Sequence, residues 1–199
     1  MSLRVYTGLP ASGKTSAIIT EMESRENAGG KVLLILSSEH EALTLRPNVK
    51  PQGLMGCRDP DKSHQIDEVI DSHEAAKLLA AQEPGTLVVF DEAQYFQPDL
   101  VHGWHQAAER GVDILVGTPS KDQLTRLDGI PHELVDMKVA CTCGAEKSTH
   151  VVYKDDLIYP THFCHRCYEE HMTLEVDRLL EVVKESEPFP GDLHTYQPF

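Results

Sequence analysis

Residues 8–15 read GLPASGKT and fit the pattern G-x-x-x-x-G-K-[ST] in full. The alternating segment LRVYT (3–7) comes just before them, and a helix is predicted from Lys14 to about Ala28. A glycine-rich turn between a strand and a helix lets backbone N–H groups surround phosphate oxygens, and the helix start adds a partial positive charge. The stretch therefore predicts a phosphate-binding loop, or P-loop.

The residue types of this loop predict how a nucleoside triphosphate, ATP in particular, is held. Lys14 is expected to reach the β- and γ-phosphates, and the Thr15 hydroxyl is expected to coordinate Mg²⁺. The predicted ATP site comprises the whole loop: Gly8, Leu9, Pro10, Ala11, Ser12, Gly13, Lys14 and Thr15. The loop does not identify a second substrate.

Apolar runs separated by helical segments surround the loop and predict the fold. The runs are KVLLILS (31–37), TLVVFDE (86–92) and VDILVGT (112–118). Such runs are typical of strands that are buried on both faces, as in a mostly parallel sheet with helices on both sides. We therefore predict an α/β P-loop fold of the NTPase type. Two close pairs of cysteines, within 141–144 and 164–167, predict in addition a small C-terminal zinc-ribbon module.

Residues 66–82 are predicted to contain a short strand or turn and then a helix that Ser72 could cap. A second helix is predicted over residues 98–111. Long irregular segments are expected at 38–65 and 119–140. The predicted organisation is an ATP-binding domain (1–138), a zinc-ribbon module (139–170), and a C-terminal helix with a flexible tail (171–199).

Composition restricts the class of partner. The chain has 18 Lys and Arg against 32 Asp and Glu, a formal net charge of -14. Such an acidic surface repels a phosphate backbone, so we expect no nucleic-acid partner. No apolar run approaches the roughly 20 residues that cross a bilayer, and MSLRVYTGLP has no secretory pattern. We expect an intracellular, cytoplasmic protein without a membrane partner.

Two adjacent acids end the strand at 86–92. Asp91 has the position of the second carboxylate of P-loop proteins, which holds Mg²⁺ together with the loop threonine. Glu92 has two readings: a base that takes a proton from an acceptor hydroxyl, or a residue that orients a water molecule. The residues alone do not choose between a kinase and an ATPase.

Four of the five cysteines form two close pairs, CTCG (141–144) and CHRC (164–167). In a reducing compartment this spacing predicts a closed structural zinc site of Cys141, Cys143, Cys164 and Cys167. Three histidines are alternatives if one cysteine is not a ligand: His150, His162 and His165. Cys57 lies far from both cysteine pairs in the sequence and is expected to be a loop or core thiol.

The combination of GLPASGKTSAII, FDEAQYF and the cysteine pairs resembles the type II thymidine kinases, a cytosolic family involved in DNA synthesis. The resemblance implies that Asp91 holds Mg²⁺ and that Glu92 activates the 5′-hydroxyl of a deoxynucleoside. It also implies that Gln94 and Tyr95 lie beside the base of the acceptor. Tetramers are common in this family, which suggests a homo-oligomer.

The sequence departs from the family in the segments that recognise the substrate. Residues 147–163 are shorter than the family's lasso, and Tyr159 is the nearest match to its substrate-contacting tyrosine. Residues 117–131 lack the family's Phe-Arg-Gly. The cation for the transition state is left open among three arginines: Arg46, Arg58 and Arg126.

The function predicted from the sequence is transfer of the ATP γ-phosphate to a deoxynucleoside, thymidine first, with Lys14 and Glu92 as catalytic residues. Two alternatives stay open. One is a kinase for a modified nucleoside or another small alcohol. The other is an ATPase or nucleotide-dependent switch whose zinc module binds a protein.

Overall fold

The computed structural model describes residues 2–38, 49–50, 53–57, 61–119, 127–152 and 160–185. Within them, six parallel strands form the central sheet: β1 (Leu3–Thr7), β2 (Val32–Ser37), β6 (Glu68–Ile70), β7 (Leu87–Phe90), β8 (Asp113–Thr118) and β9 (Glu133–Asp136). Their order across the sheet is β6-β2-β7-β8-β1-β9. The strand that leads into the P-loop, β1, is therefore next to β8, and β8 is next to β7, which ends at the two acids.

The described helices are α1 (Lys14–Asn27), α2 (Ser72–Ala80), α3 (Leu100–Glu109) and α4 (His165–Glu185), with a 3₁₀ turn at Ala93–Tyr95. The first three of these cover the sheet. None of the helices in the described ranges is long and apolar enough to cross a membrane.

Alternation along β7 shows why both faces of the sheet are covered. Val88 and Phe90 belong to a core cluster that includes Trp104 of α3. Leu87 and Val89 belong to a second cluster that includes Ile18 of α1. Successive strand residues point to opposite faces, so an uninterrupted apolar run provides two cores. The predicted α/β P-loop fold is confirmed.

Both segments predicted as irregular contain strands. Within residues 38–65, three short strands form an antiparallel sheet: β3 (Val49–Lys50), β4 (Leu54–Gly56) and β5 (Ser63–Gln65). Within residues 119–140, β9 pairs in parallel with β1 at the sheet edge. Leu134 of β9 is 40% exposed, and an exposed edge strand needs no apolar run to mark it.

The cap predicted for α2 was wrong by one residue. Asp71 is the N-cap, and its carboxylate accepts a hydrogen bond from the Glu74 backbone N–H at 2.8 Å. The Ser72 hydroxyl instead accepts a hydrogen bond from the backbone N–H of Gln97, also at 2.8 Å. Ser72, which the local sequence pattern predicts as the cap, therefore makes a hydrogen bond with a more distant segment instead.

The cysteine pairs border a two-stranded antiparallel sheet of β10 (His150–Val152) and β11 (Thr161–Phe163). The predicted C-terminal helix begins at His165, before residue 171, so Cys167 lies in the first turn of α4. The predicted C-terminal tail (187–199) lies outside the described residues.

Candidate functional site

The P-loop joins β1 to α1 in a conformation that depends on its glycines. Gly8 has φ 145° and Gly13 has φ 90°, values that favour glycine. A Cβ atom at Gly8 would lie 2.5 Å from the Met137 carbonyl oxygen, so the backbones approach too closely for any side chain. Ala11 also adopts a left-handed conformation, with φ 61°, which strains a residue other than glycine.

The Lys14 side chain folds under this loop. Its ammonium group donates hydrogen bonds to the carbonyl oxygens of Gly8 at 2.7 Å and Leu9 at 3.1 Å. Burial lowers the pKa of Lys14, while the charges of Asp91 and Glu92 act in the opposite direction. A buried cation at the start of a helix is well suited to a phosphate anion.

Two further features of the loop fit a phosphate group. The Ser12 hydroxyl oxygen is buried and has no hydrogen-bond partner among the described residues. At the start of α1, Gly13 is the N-cap and offers no side chain to the free N–H groups of the first turn. Phosphate oxygens would satisfy these donors, as at other helix N-termini.

Asp91 and Thr15 form the pair expected for Mg²⁺. The Thr15 hydroxyl donates a hydrogen bond to Asp91 Oδ2 at 3.2 Å, and Asp91 is only 3% exposed. Hard oxygen ligands from a hydroxyl and a carboxylate are those that Mg²⁺ prefers beside a nucleotide phosphate. These two residues fit the ion and would neutralise charge on the phosphates through it.

Gly117 of β8 makes room for Asp91. A Cβ atom at this position would lie 2.4 Å from Asp91 Oδ1 and 2.7 Å from Ile18 Cδ1. Gly117 was not predicted as a site residue. A glycine inside a buried strand often marks a close approach, and that signal was present in VDILVGT.

The backbone changes conformation between the two acids. Asp91 follows β7 directly, whereas Glu92 is left-handed, with φ 54°. A left-handed glutamate is strained, and such strain gathers at functional sites. The Glu92 carboxylate accepts a short hydrogen bond from the Gln94 amide.

The residues predicted to contact an acceptor occupy different settings. Gln94 Oε1 is buried without a hydrogen-bond partner among the described residues, so it can accept a hydrogen bond from a ligand. The Tyr95 side chain is 37% exposed, and its carbonyl accepts a hydrogen bond from the Ser37 hydroxyl at 3.0 Å. Tyr159 lies outside the described residues.

The three arginines proposed for the transition state also lie outside the described residues: Arg46, Arg58 and Arg126. The described part of the site thus contains the loop, the two acids, Gln94 and Tyr95. It supplies one buried cation, Lys14, near the acids.

The four paired cysteines form one cluster, with Sγ atoms that all lie within 4.8 Å of one another. The Cys143 and Cys164 sulfur atoms are 3.9 Å apart. Tetrahedral zinc with Zn–S bonds of about 2.3 Å places ligand sulfurs about 3.8 Å apart, so the cluster fits zinc. Zinc held by four thiolates would have no open position for a substrate, as at structural zinc sites.

Hydrogen bonding within the cluster shifts the pKa values of two thiols in opposite directions. A hydrogen bond with the Cys143 backbone lowers the pKa of Cys141 to about 6, and one with the Cys143 side chain raises the pKa of Cys167 to about 12. Thiols this close do not all ionise without a cation, because each new thiolate is repelled by those already formed. A divalent metal removes that repulsion.

The three histidines considered as alternative ligands make contacts with residues other than the four cysteines. The His150 ring stacks on His165 and on Tyr168, with centroid distances of 5.4 and 4.2 Å. His162 Nε2 lies 2.8 Å from the Pro10 carbonyl oxygen of the P-loop. Contacts of the P-loop with Met137 and His162 were not predicted, because residues so distant in sequence carry no shared local pattern.

No protein-family model and no curated protein matches the sequence of this chain. Solved structures similar to it include a RuvB mutant from Thermotoga maritima, with 13% identity, a TM-score of 0.43 and coverage of 72% of this chain and 40% of RuvB. Another is a genome packaging NTPase from Sulfolobus turreted icosahedral virus 2, in complex with sulfate. It is 18% identical with a TM-score of 0.36, and the aligned region covers 59% of this chain and 64% of the packaging NTPase.

A third is a large terminase from a thermophilic bacteriophage, in complex with ADP, with 11% identity and a TM-score of 0.34. The aligned regions cover 67% of this chain and 39% of the terminase. The chain thus spans less than two thirds of the length of each of these proteins. None is described as a thymidine kinase, so the kinase assignment stays a proposal.

Proposed function

We propose that this chain transfers the γ-phosphate of ATP to the 5′-hydroxyl of a deoxynucleoside, with thymidine as the first candidate. The observation that carries the proposal is the division between two adjacent acids. Asp91 contacts Thr15, while the left-handed Glu92 engages Gln94. On this proposal Asp91 would hold the metal, and Glu92 would take part in proton transfer.

ATP binding is assigned to the loop and its lysine. The N–H groups of the loop and the start of α1 would hold the phosphates, with Ser12 and Lys14 adding side-chain contacts. Lys14 would exchange its carbonyl partners for phosphate oxygens, which compensate its charge more fully. Mg²⁺ held by Thr15 and Asp91 would neutralise charge on the transferred group.

Glu92 is the proposed base. It would accept the proton of the acceptor hydroxyl as the oxygen attacks phosphorus, and its hydrogen bond with Gln94 fixes the carboxylate in place. Gln94 Oε1 would accept a hydrogen bond from the nucleoside base, which supplies the donor that this buried oxygen lacks among the described residues. The exposed Tyr95 ring would border the acceptor.

The resemblance of DEAQYF and GLPASGKT to the type II thymidine kinases supports a nucleoside over other alcohols. On this proposal the partner is a small molecule in the cytoplasm and not nucleic acid or a membrane. A homotetramer is the assembly that the same resemblance suggests.

The test is phosphate transfer from γ-labelled ATP to thymidine and a panel of nucleosides, for wild type and Glu92→Gln. We expect a labelled nucleoside monophosphate with wild type, and a fall of about 10²- to 10⁴-fold with Glu92→Gln at unchanged ATP affinity. Glu83→Gln changes an exposed turn residue in the same way and should transfer normally. ATP hydrolysis without any phosphorylated acceptor would overturn the proposal and favour an ATPase.

A further inference from the structure

His162 joins the cysteine cluster to the P-loop. Its Nε2 atom lies 2.8 Å from the Pro10 carbonyl oxygen, and the residue is 8% exposed. A carbonyl oxygen only accepts hydrogen bonds, so the proton of the ring lies on Nε2 and His162 donates. This contact joins residues 152 positions apart.

The backbone of His162 belongs to the cysteine module. It pairs with Val151 across the β10–β11 hairpin. Its carbonyl accepts a hydrogen bond at 3.2 Å from the N–H of Thr142, which lies between Cys141 and Cys143. The next cysteine, Cys164, is two residues along the chain. Metal binding that draws the four sulfurs together therefore also orders the backbone that carries His162.

The other end of the contact is a strained part of the P-loop. Ala11 follows Pro10 with φ 61°, a conformation that costs about 1 kcal/mol or more for a residue with a side chain. The C=O and N–H groups of a trans peptide point in opposite directions, so holding the Pro10 oxygen also sets the direction of the Ala11 N–H. That N–H belongs to the set that is predicted to surround the phosphates.

A second contact with the loop does not depend on the cysteines. The Met137 backbone N–H donates to the Thr7 carbonyl at 2.7 Å, in continuation of the β1–β9 pairing. This contact holds the Gly8 side of the loop. His162 holds the Pro10–Ala11 side and is the contact that metal binding can strengthen.

We propose that His162 is a positioning residue through which metal at the four-cysteine site raises the affinity of the P-loop for a nucleoside triphosphate. This inference rests on nucleotide binding within the proposed function and not on the identity of the acceptor. Because linkage is reciprocal, bound nucleotide raises zinc affinity by the same factor.

The experiment measures the affinity of the full chain for ATP–Mg²⁺ by calorimetry in two states. One sample is loaded with zinc, and the other has been treated with a zinc-selective chelator and then returned to buffer that contains Mg²⁺. For wild type we expect zinc removal to weaken ATP binding by about three- to tenfold, the range of one buried hydrogen bond. Zinc-loaded His162→Leu should show the same loss, with zinc content unchanged, and zinc removal should weaken it no further.

A conservative pair separates hydrogen bonding from folding. His162→Gln places an amide donor near the position of Nε2 and should restore most of the affinity, whereas His162→Glu has only acceptor oxygens and should not. His102→Leu, on the exposed face of α3, is the matched control and should bind ATP like wild type. If His162→Leu loses zinc or unfolds, the Gln and Glu variants decide the question.

Two results would overturn the inference: zinc-loaded His162→Leu or His162→Glu binding ATP as tightly as wild type, or His162→Leu responding to zinc removal as strongly as wild type does. Failure of the broader proposal gives a different result. Wild type that binds no ATP in either zinc state removes both proposals. Tight, zinc-dependent ATP binding without phosphate transfer removes the kinase alone.

Discussion

The two neighbouring carboxylates at the end of β7 contact different partners, and only Glu92 has a left-handed backbone conformation. Asp91 is buried against Thr15 and Gly117, while left-handed Glu92 is directed to Gln94. Both acids also interact with the charge of Lys14, which places the three groups in one electrostatic unit. A kinase needs such a unit to bind an anion, hold a metal and accept a proton at one place.

Gly117→Ala tests the packing that positions Asp91. The new methyl group would lie 2.4 Å from Asp91 Oδ1, so the carboxylate must move away from residue 117, which disturbs its hydrogen bond with Thr15. We expect a loss of about 1–3 kcal/mol in the free energy of unfolding and a weaker Mg²⁺ dependence of ATP binding. Chemical denaturation and Mg²⁺ titrations measure the two effects.

Gly103→Ala is the matched control for this substitution. Its added methyl group would meet Leu79 Cδ1 of α2 at 3.5 Å and Leu100 Cδ1 of α3 at 3.7 Å, which are ordinary van der Waals distances. Alanine is favoured over glycine there by up to about 1 kcal/mol, so stability should hold or rise. Normal Mg²⁺ dependence in Gly117→Ala would contradict the role given to Gly117.

Lys14 predicts a pH dependence for ATP binding. Burial lowers its pKa from the ordinary value of 10.5, and phosphate binds the protonated form. ATP affinity should therefore fall as pH rises through the lowered pKa, and proton uptake should accompany binding on the alkaline side. Calorimetry in buffers of different ionisation enthalpy measures that uptake.

Lys14→Arg keeps its charge through this range, so the affinity that it retains should be independent of pH there. The lowered pKa of Lys14 also affects the folding stability of the chain in the absence of nucleotide. Between the lowered pKa of Lys14 and 10.5, the unfolded chain binds more protons than the folded one, so stability rises with pH. ATP affinity that stays flat for wild type up to pH 10.5 would contradict the burial argument.

At the scale of elements, the sequence predicted strands where burial on both faces leaves an apolar run. The runs at 31–37, 86–92 and 112–118 correspond to β2, β7 and β8. The edge strand β9 was missed because Glu133–Asp136 is short and mostly exposed. Its pairing is dictated by β1 and not by its own pattern.

The cap of α2 gives a test at this scale. Asp71→Ala removes the carboxylate that accepts from the Glu74 N–H, and should cost about 1 kcal/mol in the free energy of unfolding. Asp71→Asn keeps an acceptor oxygen and should cost much less. Equal stability of Asp71→Ala and wild type in urea denaturation would show that the cap contributes nothing.

For the whole molecule, the cysteine module adds a metal site to a fold whose two cores lie on either side of the sheet. We expect one zinc ion per chain, bound by the four clustered thiols. Cys143→Ser should lose most of that zinc, whereas Cys57→Ser should keep it, because Cys57 packs against the second core. Elemental analysis of both variants measures the number of zinc ions per chain. Full zinc content in Cys143→Ser would contradict the assignment of the four cysteines as zinc ligands.

Local sequence revealed the parts of the candidate site that are themselves local. The loop from Gly8 to Thr15, Asp91 and the cysteine pairs each follow a short spacing rule. The contacts of Met137 and His162 with the loop arise only when β9 and β11 reach it, so no spacing rule finds them. Gly117 is intermediate: its sequence signal existed, but its partner is supplied by the neighbouring strand.

The most direct measurement follows the oxygen that attacks ATP. The zinc-loaded chain would turn over ATP–Mg²⁺ with thymidine in ¹⁸O-water, and mass spectrometry would examine every phosphorylated product. A kinase with Glu92 as base for the 5′-hydroxyl predicts thymidine monophosphate free of ¹⁸O and little inorganic phosphate. Inorganic phosphate carrying ¹⁸O, without thymidine monophosphate, would show that water is the acceptor and contradict the kinase.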